Sequence, residues 1–257
     1  MMESAHGRGW LLDEEDSRDW QARALFGAPL HLPNEASLEE HVARVENQKK
    51  TSSCVGQAIA RALHVRLRKL GFSPEPFSAQ AIYKAARRRS IPTIEPLSDD
   101  GCRPRDAMMA IQEQGVPLES EAPFNPETIN ENLFWDELQS ASKFVVFRWW
   151  RIVGDGRGRA DAIAQALAKG YPVVFGMTLW AAFDDYESGT ITHEQPDDAG
   201  GHMMLIVGFR TRSSDGKREF RVLNSWGTGW GEGGFCWIHE DVIGGSRVGD
   251  VYAIQVQ

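Results

Sequence analysis

The segment Asn224-Ser225-Trp226-Gly227-Thr228-Gly229-Trp230-Gly231-Glu232-Gly233-Gly234 constrains this chain more than any other stretch of it. An ordinary loop does not require five glycines around two tryptophans. Glycine reaches backbone conformations closed to other residues, whereas indoles are large apolar surfaces that must be covered. Together they imply indoles laid over a tightly folded backbone, with the Asn224 amide at its entrance.

The pattern ahead of this turn divides the chain. After Thr51-Ser52-Ser53, the apolar residues Val55, Ile59, Ala62, Leu63, Leu67 and Leu70 recur at helical spacing until Gly71, predicting a buried helix that opens at Cys54. Further helices are expected from Ser78 to Arg88, from Pro104 to Gln114, from Asn130 to Leu138 and from Ala160 to Lys169. Strands are expected at 172–177, 203–211, 219–223, 234–238 and 250–256, with Ser213-Ser214-Asp215-Gly216 turning the second into the third. Helices followed by antiparallel strands indicate an α+β protein with two unlike lobes. Residues 1–32, polar and irregular around Trp10 and Trp20, read as an N-terminal extension, and no internal repeat is seen.

Composition narrows the function. The 257 residues carry a formal charge of −8, which disfavours binding to a phosphate backbone, since that needs a dense basic face. The basic run Arg87-Arg88-Arg89 is expected at a helix C-terminus, as a solvated face. No apolar run reaches the length of a membrane span, and the first thirty residues lack the basic start and apolar stretch of a secretory signal. Cytoplasmic residence is therefore expected, with export by a route that needs no signal peptide as the alternative. Three cysteines, Cys54, Cys102 and Cys236, show no C-x-x-C spacing and argue against a disulfide framework or a zinc site. Oligomeric state is left open.

Four positions carry the chemistry. Cys54 at a helix N-terminus would meet unpaired N–H groups that favour thiolate, against the bland reading of a small core cysteine. His202 follows Gly200-Gly201 and precedes the apolar run Met203-Met204-Leu205-Ile206-Val207, which puts an imidazole at the mouth of a buried strand. Asn224 begins the Gly/Trp turn. Gln48 precedes Cys54 by six positions, so its amide can turn back toward the thiol.

In that order and spacing, with 148 positions between Cys54 and His202, these residues resemble the papain-like cysteine peptidases over about Trp10 to the C-terminus. Gly9-Trp10-Leu11-Leu12-Asp13, Arg18-Asp19 and Gly170-Tyr171-Pro172-Val173-Val174-Phe175-Gly176 look like the bacterial branch. Val55 stands where a Trp usually follows the nucleophile, and Thr51 where a disulfide-forming Cys usually precedes it, both suiting a reducing compartment.

The resemblance implies a two-lobed papain-like fold, with a helical lobe (about 48–140), an antiparallel β-barrel-like lobe (about 141–257) and the active site in the cleft between them, all within a peptidase domain of residues 33–257. It implies Cys54 as nucleophile, His202 as its proton partner, Asn224 as orienter and Gln48 in the oxyanion hole, with no metal or cofactor. It also implies substrate contacts at Gly101, Cys102, Arg103, Pro104, Gly176, Gly201, Met203 and Trp226. Cys102 takes the place of the second glycine usual in the substrate-pairing segment after Asp99-Asp100-Gly101. The pocket for the residue two places before the scissile bond would have Gly249 or Asp250 near its floor, reading either an apolar or a basic side chain. The expected partner is a peptide or protein substrate, with no nucleic acid and no membrane. Two other readings are an amidase or acyltransferase on a non-peptide substrate, and a latent peptide-binding or effector module in which residues 1–32 cross the cleft or strap its outer surface.

Overall fold

A computed structural model describes residues 6–16, 31–90, 98–132 and 147–256. The order of elements is β1 (Glu35–Ser37), α1 (Cys54–Lys69), α2 (Ala79–Ser90), α3 (Pro104–Gln114), β2 (Phe147–Arg151), α4 (Gly156–Ala168), β3 (Val173–Leu179), β4 (Thr190–Ile191), β5 (Gly200–Thr211), β6 (Arg218–Leu223), β7 (Phe235–His239), α5 (Glu240–Ile243) and β8 (Val248–Val256). The expected α+β fold, with a helical part and a sheet part, is what is found.

Helix α1 begins where the serines end and stops where Gly71 takes a positive φ of 88°. From Cys54 to Arg66 every residue is buried, as the apolar spacing requires of a helix packed on several sides. Helix α3 has Pro104 at its first turn and ends on Gly115. Helix α4 starts four residues before the sequence pattern, because Gly156, Arg157 and Gly158 are apolar on no face yet continue the helix outward. The expected helix after Asn130 meets turn and bend at 130–132, and its remainder, like Trp20 and Arg18-Asp19, lies outside the described residues.

The strands run in the order β2-β8-β3-β5-β6-β7-β4, with β1 pairing the far end of β5. All pairings are antiparallel except β4 with β7. Strand β3 is central, flanked by β5 and β8, and its continuous Val-Val-Phe-Gly-Met run is buried on both faces. The turn at 213–216 joins β5 to β6 as a hairpin. Strands β1, β2 and β4 were not legible: they are short, and β2 reads Phe-Arg-Trp-Trp-Arg without clean alternation.

Arg87 corrects the expectation of a solvated basic face. It sits at the C-terminal end of α2 as expected, but it is buried, stacks 4.0 Å over the Tyr83 ring and donates to the carbonyls of Ser98 and Ile129.

Helix α1 packs against α2 on one side and against β5, β8 and β3 on the other. The contact with α2 is close enough that a Cβ on Gly56 would lie 2.3 Å from the Ala79 carbonyl oxygen. Backbone cannot yield cheaply there, so Gly56→Ala is expected to cost about 1–3 kcal/mol by overpacking, read as a lower denaturant midpoint with an unchanged m-value.

Candidate active site

Cys54 is the first residue of α1, and His202 is the third of β5, at the strand's opening. Helix α1 lies on β5, so the elements that carry the Cys54 thiol and the His202 imidazole adjoin at the junction of the helical and sheet parts, and both residues are fully buried. Asn224 follows β6, where Gly234 accepts its N–H and returns the chain to β7. Its Oδ1 lies 2.8 Å from His202 Nε2 and also accepts the Ser225 N–H at 2.7 Å. The second contact fixes the amide: an atom facing a backbone N–H must be the oxygen. His202 Nε2 therefore donates, leaving Nδ1 as the bare nitrogen of the neutral ring, and Nδ1 has no hydrogen-bond partner. Trp226 stacks over the imidazole with ring centroids 4.7 Å apart, and Phe183 and Trp230 pack edge-on against Trp226. This is the indole-over-backbone arrangement that the Gly/Trp turn implied.

Gln48 is buried beside them, held by its N–H on the Ser225 carbonyl and by the Ser225 hydroxyl on its Oε1. Its Nε2 donates to the Thr51 carbonyl at 2.7 Å and to the Gly7 carbonyl at 3.1 Å. The turn between Gln48 and Thr51 takes a left-handed Lys49 (φ 57°) and brings the amide back toward the head of α1.

The Gly7 carbonyl belongs to a segment threaded through the groove. Gly7 donates to the Lys49 carbonyl, Gly9 and Trp10 both donate to Gly201 O, Leu11 donates to Cys102 O, and Cys102 N–H returns to Gly9 O at 2.9 Å. The pairing straddles Trp10, so it forms a parallel bridge with Cys102. Glycines make the approach feasible: a Cβ on Gly7 or Gly9 would lie about 2 Å from the Thr51 or Ser52 carbonyl oxygen, and one on Gly101 would lie 2.2 Å from Gly9 O. Arg8 pairs with Asp184, donates to Ala199 O and lies over the Trp226 ring, on which His6 also stacks. Further along, Arg103 donates to Leu12 O, while Asp13 is buried and accepts from the Arg105 N–H and the Tyr252 hydroxyl.

The structure brings several of the residues singled out in the sequence against this segment. Gly101, Cys102, Arg103, Gly176, Gly201 and Gln48 touch residues 7–13 directly. Pro104 opens α3 behind Arg103, and Met203 lies opposite Gly176 in the β3–β5 register. Cys102 and Cys236 are buried free thiols, as is Cys54.

Two groups were not found from sequence. Asp99 accepts the Ser52 N–H on both oxygens at 3.0 Å and the Tyr83 hydroxyl at 2.7 Å, and Tyr83 Oη in turn accepts the Gly101 N–H. This network joins the loop before Cys54 to the groove wall. Asp13 and Tyr252, which join the Asp250 expected near the pocket floor, form the second group, and no local pattern marks Asp13 as buried.

Burial sets the electrostatics. It pushes the Cys54 thiol up to about 11, against the N–H groups of Met203, Gly9, Val55 and Cys54 itself, so the helix terminus does not by itself yield a thiolate. Burial likewise pushes His202 down to about 3, opposed by the Asn224 bond and aided by the charges of Arg8 and His6. With residues 7–13 in place, both groups are neutral at pH 7. Asp13 is raised to about 7 by burial and by neighbouring Asp250, with Tyr252 and Arg105 acting in the opposite sense.

Linkage then gives a sign. A carboxyl titrating near 7 when the segment is seated and near 3.9 when free binds extra protons in the seated state, so seating is strongest below about pH 4 and weakens up to about pH 7. Cys54 alkylation by iodoacetamide is expected to rise more steeply from pH 5 to 8 in the intact chain than in Asp13→Asn, where Asp250, Tyr252, Arg105 and Arg151 are unchanged. Parallel profiles would remove Asp13 from the control of seating.

Residues 32–253 match the sequence profile described as papain family cysteine protease. Among curated proteins, a cathepsin B-like CP3 of Giardia intestinalis is 40% identical over 95 residues, 34% of this chain and 31% of that protein. Cathepsin B of Dictyostelium discoideum is 27% identical over 176 residues, 58% of this chain and 54% of that protein. The chain thus aligns with roughly a third to a half of the length of these relatives. Xylellain, a cysteine protease from Xylella fastidiosa, has a similar fold with a TM-score of 0.77 at 24% identity, covering 99% of this chain and 97% of that one.

Proposed function

The chain belongs to the papain family of cysteine proteases, and from that premise we propose that it hydrolyses peptide bonds through Cys54 and His202, with residues 7–13 holding the site closed until they are displaced. The observation that carries this reading is the orientation of the imidazole. Asn224 and Ser225 between them commit His202 Nε2 to donating, which leaves Nδ1 as the nitrogen able to take the Cys54 proton. When the segment leaves and a polar substrate enters, the desolvation that keeps both groups neutral is relieved, and the thiolate–imidazolium pair becomes accessible.

The thiolate forms a bond to the substrate carbonyl carbon, and the resulting oxyanion is held by the Cys54 N–H and by Gln48 Nε2. The Gly7 carbonyl on Gln48 Nε2 supports this role, since it shows that a peptide oxygen fits there. His202 then gives its proton to the leaving amine. Water, deprotonated by the same ring, releases the acyl group and restores the thiol. Asn224 holds the ring through both proton transfers, and Trp226 keeps water from their hydrogen bond.

The segment is held in a way that suits displacement: the main-chain bonds of Gly7, Gly9, Trp10 and Leu11 run to the backbone of Lys49, Gly201 and Cys102, groups that an extended peptide can pair with equally well. The stretches Gly9–Asp13 and Gly170–Gly176 support the bacterial-type assignment, and three free thiols support a reducing compartment.

Peptidase activity is tested on a mixed peptide substrate with the Trp10→Gly chain, in which the segment loses its largest side chain, and Cys54→Ser in that background should abolish it. Gln48→Ala there is expected to lower kcat by about 10²–10³, corresponding to about 2.7–4 kcal/mol of lost oxyanion stabilisation, while Cys54 still reacts with iodoacetamide. Unchanged turnover would take Gln48 out of the mechanism.

A further inference from the structure

Trp10 occupies a slot built largely of glycine. A Cβ on Gly176 would lie 2.1 Å from Trp10 Cε2, one on Gly201 2.9 Å from Cε3, and one on Gly249 3.1 Å from Cζ2. Any side chain at these three positions would fill the space that the indole takes, so the slot is a flat space bounded by bare backbone. At its end stands Asp250, whose side chain is fully buried and whose Oδ2 accepts the indole N–H at 2.9 Å. Asp250 also accepts the Asp13 N–H at 2.8 Å, while its Oδ1 has no hydrogen-bond partner and lies 3.9 Å from an Arg151 nitrogen. The residue adopts a φ of 48°, uncommon for a non-glycine residue and the kind of local strain that collects at binding sites.

The chemistry of this slot differs from that of an apolar pocket. A buried carboxylate that loses its donors bears the full cost of desolvation, and both donors to Oδ2, the indole and the Asp13 N–H, belong to the segment that must leave. A phenyl or aliphatic side chain would replace neither. A second cation is disfavoured in turn, because Arg151 already stands beside Oδ1 and because burial raises the Asp250 carboxyl despite the opposing charges of Arg151 and Arg105. A planar group carrying one N–H satisfies both the shape and the acceptor.

We propose that this slot is a tryptophan-reading site for the peptide ligand, with Asp250 as the specificity-determining residue that accepts the indole N–H. This rests on the reading that the groove binds peptides. It resolves the apolar-or-basic alternative left by the sequence in favour of an aromatic side chain with a hydrogen-bond donor.

The test uses the full chain carrying Trp10→Gly, whose slot is empty, and four peptides spanning the sequence of residues 6–14 with Trp, Phe, 3-benzothienylalanine or Arg at the tryptophan position. Benzothienylalanine keeps the bicyclic shape and lacks the N–H. Each peptide is titrated for its ability to protect Cys54 from iodoacetamide, a readout that needs no turnover. The tryptophan peptide is expected to protect at about ten-fold lower concentration than the other three, the gain from one buried hydrogen bond. Adding Asp250→Gly, a substitution that the positive φ accommodates, should reduce that advantage to under about two-fold.

Equal protection by the benzothienylalanine peptide, stronger protection by the arginine peptide, or no protection by any of the four at about millimolar concentration would each overturn the proposal. If Asp250→Gly does not fold, the N–H-deleted peptide against the unaltered slot still decides. Selective protection with no turnover of the mixed peptide substrate by the same Trp10→Gly chain would support the slot and overturn the peptidase reading, whereas turnover with protection indifferent to tryptophan would do the reverse.

Discussion

The packing of α1 on β5 is the contact on which the rest depends. It sets the helix that begins with Cys54 against the strand that carries His202, two elements far apart in sequence. Neither element can shift alone. Strand β5 is bound by β3 on one side and by β6 on the other, while α1 is wedged against α2 with only hydrogen at Gly56 between them. Close-packed interiors of this kind transmit displacement rather than absorb it, so groups placed on these two elements are held at a fixed spacing. The loops carrying Gln48 and Asn224 are then tied to each other through Ser225, which accepts from the Gln48 N–H and donates to its Oε1.

Burial creates the tension in this arrangement. It supplies the dry surroundings in which hydrogen-bond donors act strongly on a developing charge, yet with the groove filled it keeps Cys54 protonated and His202 unprotonated. The segment that fills the groove is held by a narrow margin. Fixing residues 7–13 costs roughly 7–14 kcal/mol at roughly 1–2 per residue. Their hydrogen bonds, at roughly 1 kcal/mol each, and the largely covered indole, at roughly 1.5–3, return an amount of the same order. Such a segment can seat and leave, and a single titrating carboxyl such as Asp13 is large on that scale.

The sequence disclosed what depends on local pattern. Helix α1 could be read from its apolar spacing and Gly71, α3 from Pro104 and Gly115, the central strand β3 from an unbroken apolar run, and the Trp226 cover from glycines that leave room for an indole. The groove residues from Gly101 to Gly201 followed from a resemblance rather than from any property of their own. What stayed hidden depends on tertiary burial of polar groups: Arg87 under Tyr83, Asp13 against Asp250, and Asp99 beneath Ser52. An acidic or basic residue in sequence reads as exposed, since charged side chains are rarely buried unless paired, and the partners here lie up to 237 positions away. Only Trp10, an aromatic residue in an otherwise polar stretch, pointed outward from the sequence to a packed role.

Asp99 and Thr51 show how such hidden groups do structural work. Thr51 stands where the resemblance leads one to expect a cysteine, and Asp99 opens the run that leads into the substrate-pairing segment. Here the Thr51 hydroxyl bonds to Gln48 O and Ser53 Oγ, while Asp99 grips the Ser52 N–H with both oxygens and reaches Gly101 through Tyr83. Hydrogen bonds to a charged acceptor are worth about 1.5–3 kcal/mol each, which is comparable with the 2–4 kcal/mol typical of a disulfide. The difference lies in what loosens them. A disulfide fails under reduction, whereas a buried carboxylate fails only when protonated, and burial has already raised Asp99 in that direction. The loop before Cys54 is thus fastened by groups indifferent to thiol reductants, so reducing surroundings that keep Cys54 free need not loosen the frame that positions it.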